Sequence, residues 1–552
     1  MLKNFFTCKN LGGELPALEN DIRLGTPTAA FGLSETHKFL LAAITQGKLV
    51  YVCADAISAQ KAYAGISALS SKKCVYLPAK DEVVLYKDAL SKDALYRRIC
   101  AVYGLLNGAD CVICEIEALM QLFPAQTEAI SFKTGCDYDY SALPQKLIKM
   151  GYTREYAADN KGCFAIRGDI LDIFPINSEN PVRIDFFGDT AEKIRPYDAV
   201  SGERLEEVNE ITVVCATDAV FTAEDVPEIK KIISAEVKRS QNVKAYERAK
   251  AIESDLCEKL ALGVPFSGAS FVMPLLGSAR TVFDLLPPDT LIIFDECKQI
   301  SDRMNAVYKE HCERVDELKK GGEAFSFSEN QLISPERLTE GFSAYRNLAV
   351  QTFTSSTAFF RPLKTYNLRS TPSPSYLNSM PQFITDCKNW LSNGYRVLVF
   401  TGSVARYDKL SDELTNEYLP VYPVPDRLEA LRGIALSSEE LAHGLVLHEC
   451  KTAIIGSGDL YVKAVTKRIK KRRGDMFTAP EIGDFCVHEK HGVGKIAGTK
   501  KIETTDGIKE YISIEYKGGD MLYVPVEQMD ILSKYVGEQS PNLSKIGGAD
   551  FE

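Results

Sequence analysis

Residues 32–39 have a composition that could bind phosphate. They read Gly-Leu-Ser-Glu-Thr-His-Lys-Phe, which is close to the loop G-x-x-x-x-G-K-[ST]. In that loop, backbone N–H groups next to the glycines wrap a phosphate, the lysine pairs with it, and the hydroxyl binds Mg²⁺. Here His37 replaces the second glycine and Phe39 replaces the hydroxyl, so only Gly32 and Lys38 keep the required residue types. Glu35 adds a carboxylate where a phosphate would sit.

An apolar strand that ends in acidic residues would form the other half of an ATPase site. The run 291–294 has this form and is followed by Asp295 and Glu296. Many buried strands end in an acid at the solvent boundary, so this pattern alone is weak. Without a working phosphate loop, Asp295 could bind a metal ion but would have no nucleotide to activate. We therefore predict the remnant of a nucleotide site, with no catalytic residue, at Gly32, His37, Lys38, Asp295 and Glu296.

A second candidate site is a binding face in residues 151–198. The two-residue period of β-strands assigns an inward set to the core: Phe164, Ile166, Val182, Ile184 and Phe186. The opposite face then carries Arg167, Arg183, Asp185 and Phe187. An outward phenylalanine beside two arginines has the composition of an interface hot spot. The alternative is a partly covered aromatic ring with Arg–Asp pairs at the surface.

A basic run at 467–473 could contact DNA phosphates, because each lysine or arginine would release a counterion on binding. A solvated helix end followed by a linker explains the run equally well. Its six charged residues are Lys467, Arg468, Lys470, Lys471, Arg472 and Arg473.

The histidines and cysteines do not form a metal or redox motif. Residues 488–491 read His-Glu-Lys-His, whereas H-E-x-x-H needs histidines four apart on a helix. His443, His448 and Cys450 are similarly scattered. Cys111 and Cys114 lie in one apolar strand, where residues three apart point to opposite faces. We expect no metal site and reduced thiols.

Several folded units must position these residues. Residues 1–120 alternate strands (48–53, 74–77, 110–116) with helices (56–69, 91–106), which predicts a parallel sheet covered by helices. Residues 121–212 change to a helix at 141–150 and short alternating strands, as in an α+β insert. Residues 213–365 contain the strand 290–294 and continue the first domain. A linker at 371–378 precedes a small α/β domain at 380–466 whose clearest strand is 395–400.

A basic linker at 467–479 leads to a compact all-β domain at 480–540. Asp506-Gly507 is a hairpin turn signal between strands 500–505 and 508–516. The residues expected to alternate inward are Ile512, Ile514, Tyr516, Leu522, Val524 and Val526.

Length and composition are those of a folded multidomain protein. The chain has 552 residues, of which 45% are hydrophobic and 25% charged. Its mean hydropathy of −0.12 and the absence of an 18-residue apolar run argue against a membrane span. Residues 1–10 show no secretory signal. A net charge of −10 argues against a protein that coats nucleic acid. We expect a cytoplasmic monomer with no membrane partner.

The segment 162–175, with Arg-Gly-Asp-Ile-Leu-Asp-Ile-Phe-Pro at its core, and the following Pro-Val-Arg-Ile-Asp-Phe-Phe resemble the UvrB-homology module of bacterial transcription-repair coupling factors. Residues 77–86 and the helix containing Arg97 and Arg98 are similar to the first domain of that family. The resemblance implies that the insert binds UvrA. Matching position by position, Arg167, Arg183 and Phe187 fall on the contact positions of the family. It also implies a first domain with a nucleotide fold but no working ATPase site.

Residues 488–494 and 522–526 resemble the polymerase-interacting domain that the coupling factors share with CarD-type transcription regulators. The family extends a sheet of the RNA polymerase β subunit with an edge strand of this barrel, a form of β-augmentation. The matching strand is 500–504, with Ile502 at the key apolar contact and Lys501 and Glu503 flanking it.

Together these features predict a multidomain α/β protein: a degenerate P-loop-type domain with a UvrA-binding insert, a small α/β domain and an SH3/Tudor-like β-barrel. Its expected function is to couple RNA polymerase to nucleotide-excision repair. The full-length family is an ATP-dependent DNA translocase. We expect its motor domains, with their ATP, Mg²⁺ and most DNA contacts, beyond this chain, which therefore needs no cofactor. The alternative is a stand-alone UvrB-like or CarD-like regulator.

Overall fold

The computed structural model divides the chain into two compact units. One comprises residues 1–199 and 203–463, and the other comprises 200–202 and 464–552. The residues that the structure describes are 6–11, 13–80, 92–124, 127–199, 201–219, 221, 224–239, 242–266, 268–368, 370–377, 379–425, 428–461, 485–488, 492–504, 507–517, 521–525 and 532–534. None of the described helices is long and apolar enough to cross a membrane.

The chain begins with alternating helices and strands, as expected. The helices are α1 (Cys8–Leu11), α2 (Leu15–Arg23), α3 (Glu35–Ile44), α4 (Ala56–Leu69), α5 (Lys92–Leu106) and α6 (Ile116–Met120). The strands are β1 (Thr28–Phe31), β2 (Leu49–Cys53), β3 (Cys74–Leu77), β4 (Cys111–Glu115) and β5 (Phe123–Pro124). A local signal marks the start of α4, where the Asp55 carboxylate accepts from the Ser58 backbone N–H at 2.9 Å and caps the helix.

The insert follows as a mainly antiparallel unit, in which only the described pair β7–β8 is parallel. It contains β6 (Ala129–Lys133), α7 (Leu143–Lys149), β7 (Thr153–Arg154), β8 (Cys163–Arg167), β9 (Ile170–Ile173), β10 (Val182–Phe187), β11 (Thr190–Pro196) and β12 (Glu210–Val214). Five of these strands form a sheet in the order β11-β10-β9-β8-β7, and β12 pairs with β6. The predicted helix at 141–150 is two residues shorter at its start, because the helical turns begin at Leu143.

The chain then returns to the first domain. This part contains α8 (Asp225–Val237), α9 (Val243–Ala261), β13 (Ala279–Arg280), β14 (Leu291–Asp295), α10 (Cys297–Gly321), α11 (Pro335–Phe342), β15 (Arg346–Val350), β16 (Lys364–Asn367) and β17 (Thr371–Pro372). The strands β14, β15 and β16 join the first four in a seven-stranded sheet, β16-β1-β15-β14-β2-β4-β3, in which all neighbours are parallel. Helices cover both faces of this sheet, as shown by two separate core clusters.

A smaller α/β sheet completes the first unit. Its elements are α12 (Met380–Ser392), β18 (Arg396–Phe400), α13 (Val404–Asn416), β19 (Val421–Pro423), β20 (Ile434–Ser437), β21 (Leu445–Leu447), β22 (Thr452–Ile455) and α14 (Ser457–Leu460). The sheet order is β17-β21-β22-β18-β20-β19. The prediction of a linker throughout 371–378 was therefore wrong at its start. Thr371 and Pro372 pair with β21 at the sheet edge, where a proline costs no ladder hydrogen bond.

The second unit contains an antiparallel five-stranded sheet. Its strands are β23 (Phe485–His488), β24 (Gly492–Thr504), β25 (Gly507–Glu515), β26 (Met521–Pro525) and β27 (Leu532–Lys534), in the order β26-β25-β24-β23-β27. Ile512, Ile514 and Val524 are buried in its core, as predicted. The hairpin pairs Thr504 with Gly507, one residue earlier than the sequence signal suggested. Asp506 and Val526 lie outside the described residues.

Candidate functional site

Three residues of the predicted nucleotide-site remnant, Lys38, Asp295 and Glu296, form a compact ion cluster. Lys38, in the first turn of α3, places its Nζ 2.8 Å from Asp295 Oδ1 and 2.6 Å from Glu296 Oε1. The Tyr51 hydroxyl donates to Asp295 Oδ2 at 3.0 Å. The cluster forms because β1, which precedes α3, and β14, which ends at Asp295, both border β15 in the parallel sheet. The lysine charge is therefore directed at two carboxylates of the same protein.

The two carboxylates of the cluster have opposite pKa shifts. Burial raises the pKa of Asp295, and the lowering by Lys38 and Tyr51 is smaller. Burial also tends to raise the pKa of Glu296. The hydrogen bond and the charge of Lys38 have a larger effect in the opposite direction, so the pKa of Glu296 lies below its ordinary value. Glu296 has a left-handed backbone with φ 62° and also accepts from the Thr352 N–H at 2.8 Å. For Lys38 itself, the two carboxylates outweigh burial and raise its pKa.

The loop before α3 also directs its backbone donors at protein atoms. Leu33 N–H donates to the Gln351 carbonyl at 3.3 Å, and Ser34 N–H donates to Ser370 Oγ at 3.2 Å. Gly32 has φ +78°, and a Cβ there would lie 2.9 Å from Asn367 Oδ1. The groups that would wrap a phosphate thus donate to residues just after β15 and after β16.

His37 occupies the position of the second loop glycine and is buried in α3. Neither of its ring nitrogens has a hydrogen-bond partner among the described residues. Burial lowers its pKa to about 4, so the imidazole is neutral at physiological pH. Glu35, the carboxylate noted in the loop, instead faces solvent and lies 3.8 Å from Lys61.

The insert sheet has one buried and one exposed face, and the predicted alternation is confirmed. The inward set, Phe164, Val182, Ile184 and Phe186, is buried, and Ile166 packs against the same core. On the opposite face, Arg167, Ile170 and Asp185 are register partners across β8, β9 and β10. Ala165, Asp172 and Arg183 form the next row. Phe187 follows Asp185 by two residues, which puts it on the same face.

The arginines of this outer face are held by specific partners. Arg183 forms a bidentate pair with Asp172, with Nε 2.7 Å from Oδ1 and Nη2 2.8 Å from Oδ2. Asp172 is buried, so a neighbour in the sheet holds the partly exposed guanidinium in place. Arg167 donates through Nη2 to the Tyr156 carbonyl. These contacts reduce the freedom that the arginines would lose on binding a partner.

Phe187 is the prominent apolar group of the outer face. It is 75% exposed at the end of β10. Tyr156, which is also almost fully exposed, lies beside a groove of about 720 Å³ lined by Arg154, Glu155, Ala157, Asp159, Ile166 and Arg167. Exposed aromatic side chains next to arginines are the composition of interface hot spots.

In the second unit, the predicted polymerase-binding residues lie on a strand edge that is free among the described residues. Lys501, Ile502 and Glu503 belong to β24 and pair on one side with Glu510, Lys509 and Ile508 of β25. On its other side, β24 pairs with β23 only through residues 492–495. Among the strands that the structure describes, none pairs with that side beyond Lys495. The backbone donors and acceptors there have the arrangement that strand addition requires.

The remaining predicted groups are dispersed. His443 Nδ1 lies 2.9 Å from Asp459 Oδ1, whereas His448 lies between Thr371 and Tyr395. In the described part of the chain, no three His, Cys, Asp or Glu side chains form a cluster that could hold a metal. The basic run at 467–473 and the segment 489–491 lie outside the described residues.

Sequence reasoning missed two residues of the insert face. Asp172 could have been found, since strand alternation in β9 places it on the outer face, opposite Arg183. Tyr156 lies in an irregular segment between β7 and β8, where strand parity gives no signal. Its position follows only from the contact with Arg167.

Comparison with known proteins finds a family match for each of these two surfaces. The family model of the UvrB interaction domain matches residues 130–218, which include the exposed face of the insert. The family model of the CarD-like/TRCF RID domain matches residues 481–536, which include the free edge of β24. The chain is similar to the transcription-repair-coupling factors.

The similarity to the transcription-repair-coupling factors extends along most of the chain. The factor of Bacillus subtilis (strain 168) is 25% identical over 537 residues, which cover 93% of this chain and 45% of that protein. The factor of Staphylococcus epidermidis RP62A is 26% identical over 452 residues, which cover 77% of this chain and 37% of that protein. The chain thus spans less than half the length of the curated relatives it matches.

Proposed function

We propose that this chain is an adaptor that binds the RNA polymerase β subunit and recruits UvrA to transcription-coupled DNA repair. The observation that carries this proposal is the presence, in one chain, of matches to the UvrB interaction domain and to the CarD-like/TRCF RID domain. A stand-alone UvrB-like protein would not need the second domain, and a CarD-like regulator would not need the first. Similarity to coupling factors over most of the chain supports the combined function.

The outer face of the insert sheet is the proposed UvrA surface. Phe187 supplies an exposed apolar anchor, and Arg183 supplies a guanidinium that is already ordered by Asp172. Arg167 adds a second charge on β8, which is separated from β10 by β9. Lys193, the register partner of Asp185, adds another positive charge to the same face. This surface would best fit a partner with an apolar pocket surrounded by acidic or carbonyl groups.

The free edge of β24 is the proposed polymerase surface. Strand addition there would pair the backbone of the β subunit with residues 496–504, and alternate side chains would give specificity. Ile502 is the proposed apolar contact, with Lys501 and Glu503 beside it. We further propose that this domain is an SH3/Tudor-like barrel of the kind found in CarD-type regulators.

We also propose that the first domain is a degenerate P-loop-type fold that does not turn over ATP. The engagement of Lys38 by Asp295 and Glu296 supports this, since the lysine would have to leave both carboxylates to reach a phosphate. Translocation driven by ATP, and the DNA contacts that it needs, would then belong to other parts of a coupling factor. An ATPase assay tests this point: DNA-stimulated ATP turnover by this chain would contradict it.

Pull-down experiments with purified UvrA and with the polymerase β subunit test the adaptor function. Phe187→Ala should lose UvrA and keep the polymerase, whereas Ile502→Arg should lose the polymerase and keep UvrA. Ile508→Arg is a matched control, because it makes the same change in the same hairpin but on β25. If Ile502→Arg bound the polymerase normally, or if only Ile508→Arg lost it, the assignment of β24 would be wrong.

A further inference from the structure

Two cysteines that are distant in the sequence become direct neighbours in the parallel sheet. Cys74 is the first residue of β3 and is the register partner of Cys111, the first residue of β4. Register partners on adjacent parallel strands project from the same face, and the strands are about 4.8 Å apart. That separation lies within the range of Cα distances that a disulfide spans, about 4.4–6.8 Å. Both thiols are free in this structure.

The core clusters confirm which cysteines share a face. Cys111 is buried in the cluster on the α4 side of the sheet, and Cys74 packs against the same cluster. Cys114 belongs to the cluster on the opposite side, even though it is closer to Cys111 in the sequence. The two cysteines on one face are therefore Cys74 and Cys111 on adjacent strands, and not Cys111 and Cys114 of the same strand.

The two thiols differ in accessibility and ionisation. Cys74 is partly exposed at the sheet edge, just after an exposed turn, whereas Cys111 is fully buried. Hydrogen bonding from the Cys111 thiol, helped by Ser67 and the Lys72 ammonium, lowers the pKa of Cys74 to about 7. Burial raises the pKa of Cys111 well above its ordinary value.

The ammonium that favours the Cys74 thiolate is fixed in place. Lys72 Nζ donates to the Ala42 carbonyl at 2.9 Å and to the Thr45 carbonyl. The start of β3 is also tied to β4, because Lys73 N–H donates to Asp110 Oδ2 at 2.9 Å and Asp110 N–H donates to the Lys73 carbonyl at 3.0 Å. The two strand starts that carry the thiols are thus held together by several contacts.

We propose that Cys74 and Cys111 form an oxidative modification site, in which a hydroperoxide converts the pair to a disulfide. The Cys74 thiolate attacks one oxygen of hydrogen peroxide, the O–O bond breaks, and hydroxide leaves and takes up a proton as water. The Cys111 sulfur then attacks the sulfenic acid at Cys74, the S–O bond breaks, and a second water leaves with the Cys111 proton. Two thiols are oxidised, and one peroxide is reduced to two waters.

Peptide mapping of the intact chain after brief peroxide treatment tests this inference. The remaining thiols are alkylated at acidic pH before trypsin digestion, to prevent exchange between disulfides. Trypsin would release Cys74 in residues 74–80 and Cys111 in residues 99–133, which also contain Cys100 and Cys114. We expect these two peptides to be disulfide-linked, and fragmentation of the linked pair should place the bond at Cys111.

Matched variants separate this pair from other cysteines. The link should disappear in Cys74→Ala and in Cys111→Ala, and it should persist in Cys114→Ala, which changes a buried cysteine of the same strand on the other face. A bond from Cys74 to Cys100 or Cys114 in the fragmentation spectrum would overturn the inference. So would a folded wild-type chain in which Cys74 stays unlinked while the exposed Cys136 is oxidised.

Discussion

Phe187→Ala should weaken UvrA binding strongly without changing the stability of the free chain. The side chain is 75% exposed at the end of β10, so it makes few contacts in the folded protein. A surface change of this kind alters the free energy of unfolding by about 0.5 kcal/mol or less. Any large loss of binding would then report on the interface itself.

The expected loss of binding follows from the exposed area of Phe187. A phenylalanine offers roughly 150–200 Å² of surface, of which three quarters remains to be buried by a partner. At about 25 cal/mol per Å² this area is worth about 3 kcal/mol, and the Cβ retained by alanine reduces it to about 2–3 kcal/mol. The dissociation constant for UvrA should therefore rise roughly 30- to 140-fold.

Titration calorimetry or surface binding with purified UvrA would measure this change, and thermal unfolding would verify the fold. Phe353→Ala is the matched control: it removes the same side chain at 80% exposure, after β15 and outside the matched interaction domain. A Phe187→Ala chain that binds UvrA as tightly as the Phe353→Ala chain would refute the assignment of the insert face.

Two further predictions concern charge pairs. Lys38→Met should lower the free energy of unfolding by about 3 kcal/mol at neutral pH, because it leaves the carboxylates of Asp295 and Glu296 together without their cation. Lys38 holds the pKa of Glu296 below its ordinary value, so that stabilisation is present at neutral pH and is lost as pH falls through the lowered pKa. The deficit of the variant should therefore stay constant from neutral pH down to about 4.5 and shrink in denaturant melts at lower pH. Arg183→Ala should lower the free energy of unfolding by about 1–3 kcal/mol, because it leaves the buried Asp172 carboxylate without its partner. Asp172→Ala should lower it by less, because the Arg183 guanidinium can reach water.

Controls for the charge predictions are available in the same chain. Lys61→Met removes a lysine from the exposed pair with Glu35, and it should change neither the stability nor its pH dependence measurably. An equal deficit for Lys38→Met at all pH values would contradict the proposed role of the two carboxylates. For the insert, the double change Arg183→Ala with Asp172→Ala should be more stable than Arg183→Ala alone, and a less stable double variant would contradict the reasoning.

The outer face of the insert could be predicted from sequence because one short-range rule determines it. Strand alternation places Phe187 and Arg183 opposite the buried Ile184, and the antiparallel partners are close in the chain. The sequence could not reveal that Tyr156 lies beside Arg167, since the connecting segment is irregular. Proline and serine in 371–378 suggested only a linker, although Thr371 and Pro372 complete a sheet edge.

Contacts that depend on the order of parallel strands were beyond sequence reasoning. Residue types alone were enough to group the loop at 32–39 with the acidic end of β14 as the two halves of one predicted nucleotide-site remnant, but they did not predict the contacts between them. That Lys38 bonds to both Asp295 and Glu296 depends on β15 lying between β1 and β14, which no local pattern encodes. The adjacency of Cys74 and Cys111 likewise arises from the pairing of β3 with β4 across an intervening helix.

We propose that the chain binds UvrA and RNA polymerase at the same time. Sedimentation velocity of this chain mixed with purified UvrA and the polymerase β subunit tests it most directly. We expect a three-component species that loses only UvrA with Phe187→Ala and only the β subunit with Ile502→Arg. Binary complexes that exclude one another, or a three-component species that both variants leave intact, would contradict it.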